Sequence, residues 1–448
     1  MQTNASRLNY GRTFVIGLGF FTTAISWALY NAYVPIFLRK FISSATLIGL
    51  VMTFDNWAAI IIQPWIGSLS DRTKTPLGKR MPYVVLGIPL GAALFAILPF
   101  STLGETGREV LRFIALIGEV RIAGGLLPVV LIIMAFNIAM AIYRAPVVAL
   151  MPDVTPSMHR GKANGIINFM GGVGSILAYL VGSFLYDLGV TIPFVCTAVV
   201  MVLALVILLI FVHEPESRRE IRDGFKGGRV PQYPDKDSAD KEKPGIVRST
   251  VQIFREKQWS TLLILLAIFF WFLAFNSMET WFTTYGVEVL QVKESAAARI
   301  LTSVSLFFVI FALPAGYIGS RLGRKRSIMI GIILFAAVSF AIIFVRVIPV
   351  LYGLFALAGV AWAMINVNSI TIVWELASGS RLGTYTGLYY FFSALAQIVA
   401  PPLAGFIMDR TGIRSLFPFA TICFVLALLM MIGVRKGEAV PATPADTD

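Results

Sequence analysis

Apolar residues along this chain come in long runs, and charged residues crowd into the gaps between them. Phe14 to Leu38 and Leu262 to Thr284 are each long enough, at about 1.5 Å per helical residue, to cross a hydrocarbon core of roughly 30 Å. The pattern predicts twelve helical spans near 12–40, 47–69, 82–101, 127–150, 162–187, 191–213, 258–287, 296–318, 327–346, 349–375, 384–408 and 414–435. The period-2 alternation of membrane barrel strands, about ten residues per strand, is absent. Backbone polar groups in lipid are then satisfied inside helices, so the expected fold class is an all-α polytopic membrane protein.

Two loops repeat. Gly67 to Arg80 reads GSLSDRTKTPLGKR, and a shorter GYIGSRLGRKR runs from Gly316 to Arg326, 249 residues later. A shift of 222 residues lays the fifth span on the eleventh without a gap, pairing Gly165 with Gly387, Phe169 with Phe391, Phe184 with Phe406 and Asp187 with Asp409. The difference between the offsets is accounted for mainly by the long stretch from Thr102 to Leu126. The chain therefore divides into two pseudo-symmetric six-helix halves, 1–213 and 258–436. Between them, 214–257 is polar and rich in Pro and Gly, a linker by composition, and 437–448 is expected to be a disordered tail.

The chain is 57% hydrophobic and 14% charged, against about 25% charged in soluble domains, so most of it faces lipid. The net charge of +13 first suggests nucleic acid. Lys and Arg lie mostly on the side of the Gly67–Arg80 loop, the positive-inside pattern instead. It places both termini in the cytoplasm and the protein in a plasma membrane, in bacteria the inner one. Cys196 and Cys423 sit in apolar runs, and no His or Cys spacing resembles a metal site. No cofactor, nucleic-acid partner or enzymatic nucleophile–base pair is expected, and the chain is read as a monomer.

Charges inside a bilayer are costly and mark function. Asp55, Arg144, Glu279 and Glu375 fall within predicted spans. Asp55 is the carboxylate expected to carry a coupling proton, with Glu279 the second choice. Asn56 points about 100° around the helix from Asp55, so it is not expected to hold it. Polar side chains recur at i, i+3 and i+7: Asn276, Glu279 and Thr283, then Asn368, Thr371 and Glu375. Aromatic residues lie a turn away. Tyr30, Asn31, Trp57, Asn137, Tyr143, Arg144, Asn168, Asn276, Trp281, Asn366 and Asn368 are the expected lining of a site for a polyhydroxylated ligand. Gly174, Ala178 and Gly182 form a small face suited to helix packing. Asp71, with Arg72, Arg80, Asp153, Arg160, Arg324 and Glu375 near the loop ends of their helices, is expected to make salt bridges that break when a gate opens.

These motifs resemble the major facilitator superfamily, whose loop between helices two and three follows a G-x-L-x-D-R-x-G-R-K pattern. Gln63, Pro64, Gly67, Ser70, Asp71, Arg72, Gly78, Arg80 and Pro82, followed by Asp153, Arg160, Ala163, Asn164, Phe169, Gly174 and Tyr179, are similar to its sugar:cation symporter branch. That branch comprises the glycoside–pentoside–hexuronide and plant-type sucrose carriers. Where the branch carries coupling carboxylates, this chain has Ala59, Gln63 and Asn137, with Asp55 one turn earlier than the first. The resemblance implies a major facilitator fold and a secondary transporter moving a disaccharide or glycoside by alternating access, with a proton as the coupling cation. An exporter of lipophilic compounds or a lipid carrier is the alternative, and a non-transporting sugar receptor a minor one.

Overall fold

The computed structural model describes residues 9–102, 109–115, 118–155, 159–212, 259–376 and 382–434. The expected linker and tail lie outside these residues. Twelve helices among the described residues are long and apolar enough to span a membrane. Numbered by span, helices one to six are Tyr10–Arg39, Ala45–Arg72, Met81–Thr102, Leu126–Val154, Arg160–Leu188 and Ile192–Phe211. Helices seven to twelve are Trp259–Glu288, Glu294–Leu322, Arg324–Ile342, Ile348–Leu376, Leu382–Thr411 and Ile413–Gly433. The protein is an all-α polytopic membrane protein.

Packing divides the chain into two compact units. One holds Met1–Glu220, Ser277–Val309 and Ile398–Leu416; the other holds Ile221–Asn276, Ile310–Gln397 and Phe417–Asp448. The units cut across the sequence halves, because parts of helices seven, eight and eleven pack with the first six.

Lipid tails supply no hydrophobic drive between helices, so close approach through small residues holds the bundle together. In the first unit, a Cβ at Gly174 would lie 2.6 Å from the Phe21 carbonyl oxygen, and one at Gly182 would lie 2.8 Å from Leu29. The small face of helix five thus packs on helix one. A Cβ at Gly87 would lie 2.7 Å from that of Tyr143, joining helix three to helix four. In the second unit Gly331 meets the Ala361 carbonyl in the same way. The 222-residue shift carries Ala139 to Ala361 and Tyr143 to Ile365, so the two crossings are copies of one contact.

Two local features depart from the sequence reading. Helix two breaks at Thr53, between segments Ala45–Met52 and Phe54–Arg72, where the Thr53 hydroxyl bonds back to the Leu50 carbonyl at 2.9 Å. The stretch read as a long loop contains two antiparallel strands, β1 (Glu109–Ala115) and β2 (Gly118–Ala123). Strand β2 is stitched to the turn after helix one, with Ala123 N–H donating to Phe41 O at 2.9 Å and Ser43 N–H to Arg121 O at 3.2 Å.

Candidate functional site

The first unit brings together three of the charges singled out inside spans. Asp55 lies in the first turn after the helix-two break, where free backbone N–H groups favour an anion. Its carboxylate accepts from the Asn56 amide at 2.8 Å. The expectation that Asn56 would leave Asp55 alone is therefore corrected, since the side-chain amide folds back over the one-residue separation. Asp55 also feels the charges of Arg144 and Glu279. Glu279, on helix seven, is hydrogen-bonded by Asn31 of helix one and Tyr179 of helix five.

The expected ligand-lining residues separate into two groups. Tyr30, Asn137, Tyr143, Trp281 and Asn368 are fully buried among protein groups. Asn137 donates to the Tyr30 hydroxyl at 3.3 Å, and Trp281 Nε1 donates to the Pro401 carbonyl at 3.0 Å. The Tyr143 and Thr23 hydroxyls lie 3.3 Å apart. Asn368 donates to the Ala315 and Met364 carbonyls and accepts from Arg324 at 2.9 Å. These five hold helices together, in place of the lining role expected of them. Asn276 turns its amide onto its own helix at Phe272 O, 2.7 Å away. Asn31 and Asn366 are half-buried, while Trp57, Arg144 and Asn168 keep exposed surface. In the second unit the rings beside Asn276 form a box: Phe275 stacks on Trp362 at 3.9 Å, with Phe272 and Tyr389 edge-on.

At the loop ends, Arg80 is the hub. Its buried guanidinium pairs with Asp153 at 2.9 Å and with Asp71, and it donates to Ser70 Oγ and, at 3.3 Å, to Gly67 O. Burial works against the Arg80 charge, but the hydrogen bonds and charges of Asp153 and Asp71 outweigh it and raise its pKa. The second unit repeats the pair as Arg324 with Glu375, Nε to Oε1 3.6 Å. The shift of 222 residues maps Asp153 onto Glu375. Ser320 stands where Asp71 would be and bonds to Tyr317 O instead. Arg72 is exposed, and the Arg160 side chain lies outside the described residues.

A second cluster, at the opposite ends of these helices, had no role in the sequence reading. Asp409 accepts four hydrogen bonds where helix two begins: Ser44 Oγ at 2.7 Å, Ala45 N at 2.7 Å, Thr46 N at 2.9 Å and Thr46 Oγ1 at 2.6 Å. Asp187 meets helix eight through side chains, accepting from Ser295 Oγ at 2.5 Å and Arg299 at 2.9 Å. Tyr186 donates to Glu294, and Arg39 pairs with Glu288 at 3.0 Å. Each contact joins the first sequence half to the second. A Cβ at Gly405 would lie 2.4 Å from Ala45 O, so the backbones nearly touch. The repeat that aligns Asp187 with Asp409 was the available signal. Among the described residues no group of three or more His, Cys, Asp or Glu side chains could hold a metal ion.

Residues 16–299 and 287–447 match the Major Facilitator Superfamily. An uncharacterized MFS-type transporter of Methanocaldococcus jannaschii is 23% identical over 427 residues, covering 94% of each chain. The quinolone resistance protein NorA of Staphylococcus aureus is 20% identical over 403 residues, 88% of this chain and 89% of that one. The solved structure of a D-xylose–proton symporter superposes with a TM-score of 0.67 at 17% identity, over 95% of this chain and 97% of that one.

Proposed function

Because the chain belongs to the Major Facilitator Superfamily and is a multi-pass transporter of that family, we propose that it moves a sugar, a disaccharide or glycoside, by proton-coupled symport. The observation that carries the proposal is the polar cluster of Asp55, Asn56, Arg144, Asn31, Glu279 and Tyr179 inside the spans. A carboxylate there binds one proton per cycle, and amides and hydroxyls beside it suit sugar hydroxyls. Asp55 is the proposed proton carrier. Arg80 and Arg324, with their carboxylates, serve as the gate on the loop side, and Asp187 and Asp409 as the gate at the other. On this reading both termini lie in the cytoplasm and the protein works as a monomer in a plasma membrane.

The test is uptake of labelled sucrose, maltose and melibiose into proteoliposomes, with and without an inward proton gradient. Accumulation of one of them that requires the gradient supports the reading. No accumulation of any glycoside under any gradient overturns it. A second reading, export of a lipophilic compound, is favoured by the Phe272–Phe275–Trp362–Tyr389 box. It is also favoured by the likeness to a protein named for quinolone resistance.

A further inference from the structure

The turn of residues 40–44, between helices one and two, is where the hairpin, helix seven and helix eleven meet. Ser43 N–H donates to Arg121 O of β2 at 3.2 Å, and Arg121 N–H returns a bond to Ser43 Oγ at 2.9 Å. Ala123 N–H donates to Phe41 O at 2.9 Å, and Ile42 and Ile122 sit opposite each other as an antiparallel pair. The Ser43 carbonyl accepts from Arg39, which also pairs with Glu288 of helix seven at 3.0 Å. All three polar groups of Ser43 are thus held. The next three residues, Ser44, Ala45 and Thr46, hold Asp409 of helix eleven.

The internal duplication shows what the hairpin replaces. The 249-residue shift carries Ser43, Ser44, Ala45 and Thr46 to Val292, Lys293, Glu294 and Ser295, in the turn between helices seven and eight. That second turn closes on itself. Val292 N–H donates to Gly286 O at 3.1 Å, with Gln291 in a left-handed backbone at φ 54°. The same shift sets Gly286 on Phe37, yet the Ser43 N–H goes to strand β2 and not to Phe37. In the first half, then, the closing bond comes from the hairpin. Helices nine and ten are joined by residues 343–347, which leave no room for a matching hairpin in the second half.

The Ala45 and Thr46 N–H groups stand in the first turn of helix two, where no intrahelical acceptor exists. Their bonds to Asp409 depend on how the preceding turn is oriented. A turn without a fixed partner samples many orientations, and ordering it opposes closure. We infer that the outer hairpin is a strap for the outer gate, pairing with residues 41–43 so that the first turn of helix two is held ready to receive Asp409. This rests on the reading of Asp409 as part of a gate. Strand β2, the turn and the donors to Asp409 all belong to the first sequence half, so the strap stays fastened while the halves part. The gate then closes on a receptor that is already formed, and loosening the strap opens it without any change at Asp409.

Two variants loosen the strap and leave the Asp409 contacts in place. Ser43→Ala removes the hydroxyl that accepts from Arg121. Ala123→Pro removes the N–H that faces the turn. Backbone groups alternate sides along a strand, so the donor of Ile122 faces β1 and the ladder of the hairpin is kept. The readout is hydrogen–deuterium exchange of the purified full chain, resolved to single amides by electron-transfer fragmentation. The Ala45 and Thr46 amides report the contact, because Asp409 is their acceptor and Asp409→Ala should expose both. Each strap variant should speed their exchange about threefold to tenfold, the effect of one hydrogen bond. The Val292 amide should keep its wild-type rate. In an Asp409→Ala background the strap variants should add less than about twofold at Ala45 and Thr46. The inference is overturned if both variants exchange there at the wild-type rate, if Val292 speeds up equally, or if the variants act as strongly without Asp409. The assay needs no transported solute. If no glycoside accumulates and the strap variants behave as expected, the sugar reading falls and the strap stands. If a glycoside accumulates and Ala45 and Thr46 exchange unchanged in both variants, the reverse holds.

Discussion

Replacing Asp409 with Ala should loosen one end of the transport path by a calculable amount. The carboxylate accepts from two backbone N–H groups and two hydroxyls, at 2.6 to 2.9 Å. A hydrogen bond to a charged group contributes about 1.5–3 kcal/mol. Water re-satisfies the hydroxyls of Ser44 and Thr46 once the helices part, so the two backbone donors dominate. A loss of about 3–6 kcal/mol follows for the two, which lowers the closed-to-open ratio about 100- to 20,000-fold. The readout is the labelling rate, by a water-soluble maleimide, of a cysteine at Ala404, which is buried at 1% exposure just before the latch. Cys196 is exposed and Cys423 buried, so both are first replaced by Ala. In fast pre-equilibrium the rate scales with the open population, and it should rise by the same factor. Asp187→Ala should raise it less, because part of its contact is an ion pair that keeps 24% and 39% of its two side chains exposed. A rise below about threefold in Asp409→Ala, or a larger one in Asp187→Ala, refutes the reasoning.

Three further outcomes are expected. Gly319→Ala would put a Cβ 1.9 Å from Asn368 Oδ1, expelling that side chain and releasing Arg324. A loss of about 2–3 kcal/mol should appear as a lowered melting temperature, and Asn368→Ala in the same background should add little. Asp55→Asn should abolish gradient-driven accumulation while leaving exchange at equal concentrations intact. Survival of accumulation there, with loss in Glu279→Gln, would move the proton to helix seven. Asp71→Asn should slow turnover and leave the dissociation constant within about threefold, because Asp71 holds Arg80 from an exposed position. A large rise in the constant with normal maximal exchange would count against a gating role.

The spans and the duplication were legible because both are properties of sequence period and spacing, and lipid permits few solutions. Helix faces were legible too: the stripe of Gly174, Ala178 and Gly182 packs as small residues in lipid do. Periodicity does not separate two interior faces, one against a neighbouring helix and one against open space. Asn137 and Asn368 share the stripe of the charged residues, yet bond within the protein wall. The break at Thr53 escaped because a threonine hydroxyl bonding back to Leu50 leaves no mark on hydropathy. The contacts of Asp187 and Asp409 were present as an aligned pair, but a residue's partner on a distant helix is not encoded in its own period.

The two aspartates descend from one position and have come to rest on different chemistry. Asp187, itself exposed, faces a half-buried guanidinium, whereas Asp409 faces backbone amides in a partly buried corner. Near 1 M salt, where the screening length falls to about 3 Å, dissolved ions weaken the first kind of contact and leave the second much less affected. Raising ionic strength should thus relax the helix-five end of the gate while the helix-eleven end stays fastened. A molecule built from matching halves would thus be fastened unevenly, most of all in brine, with Asp409 as its lasting hinge pin.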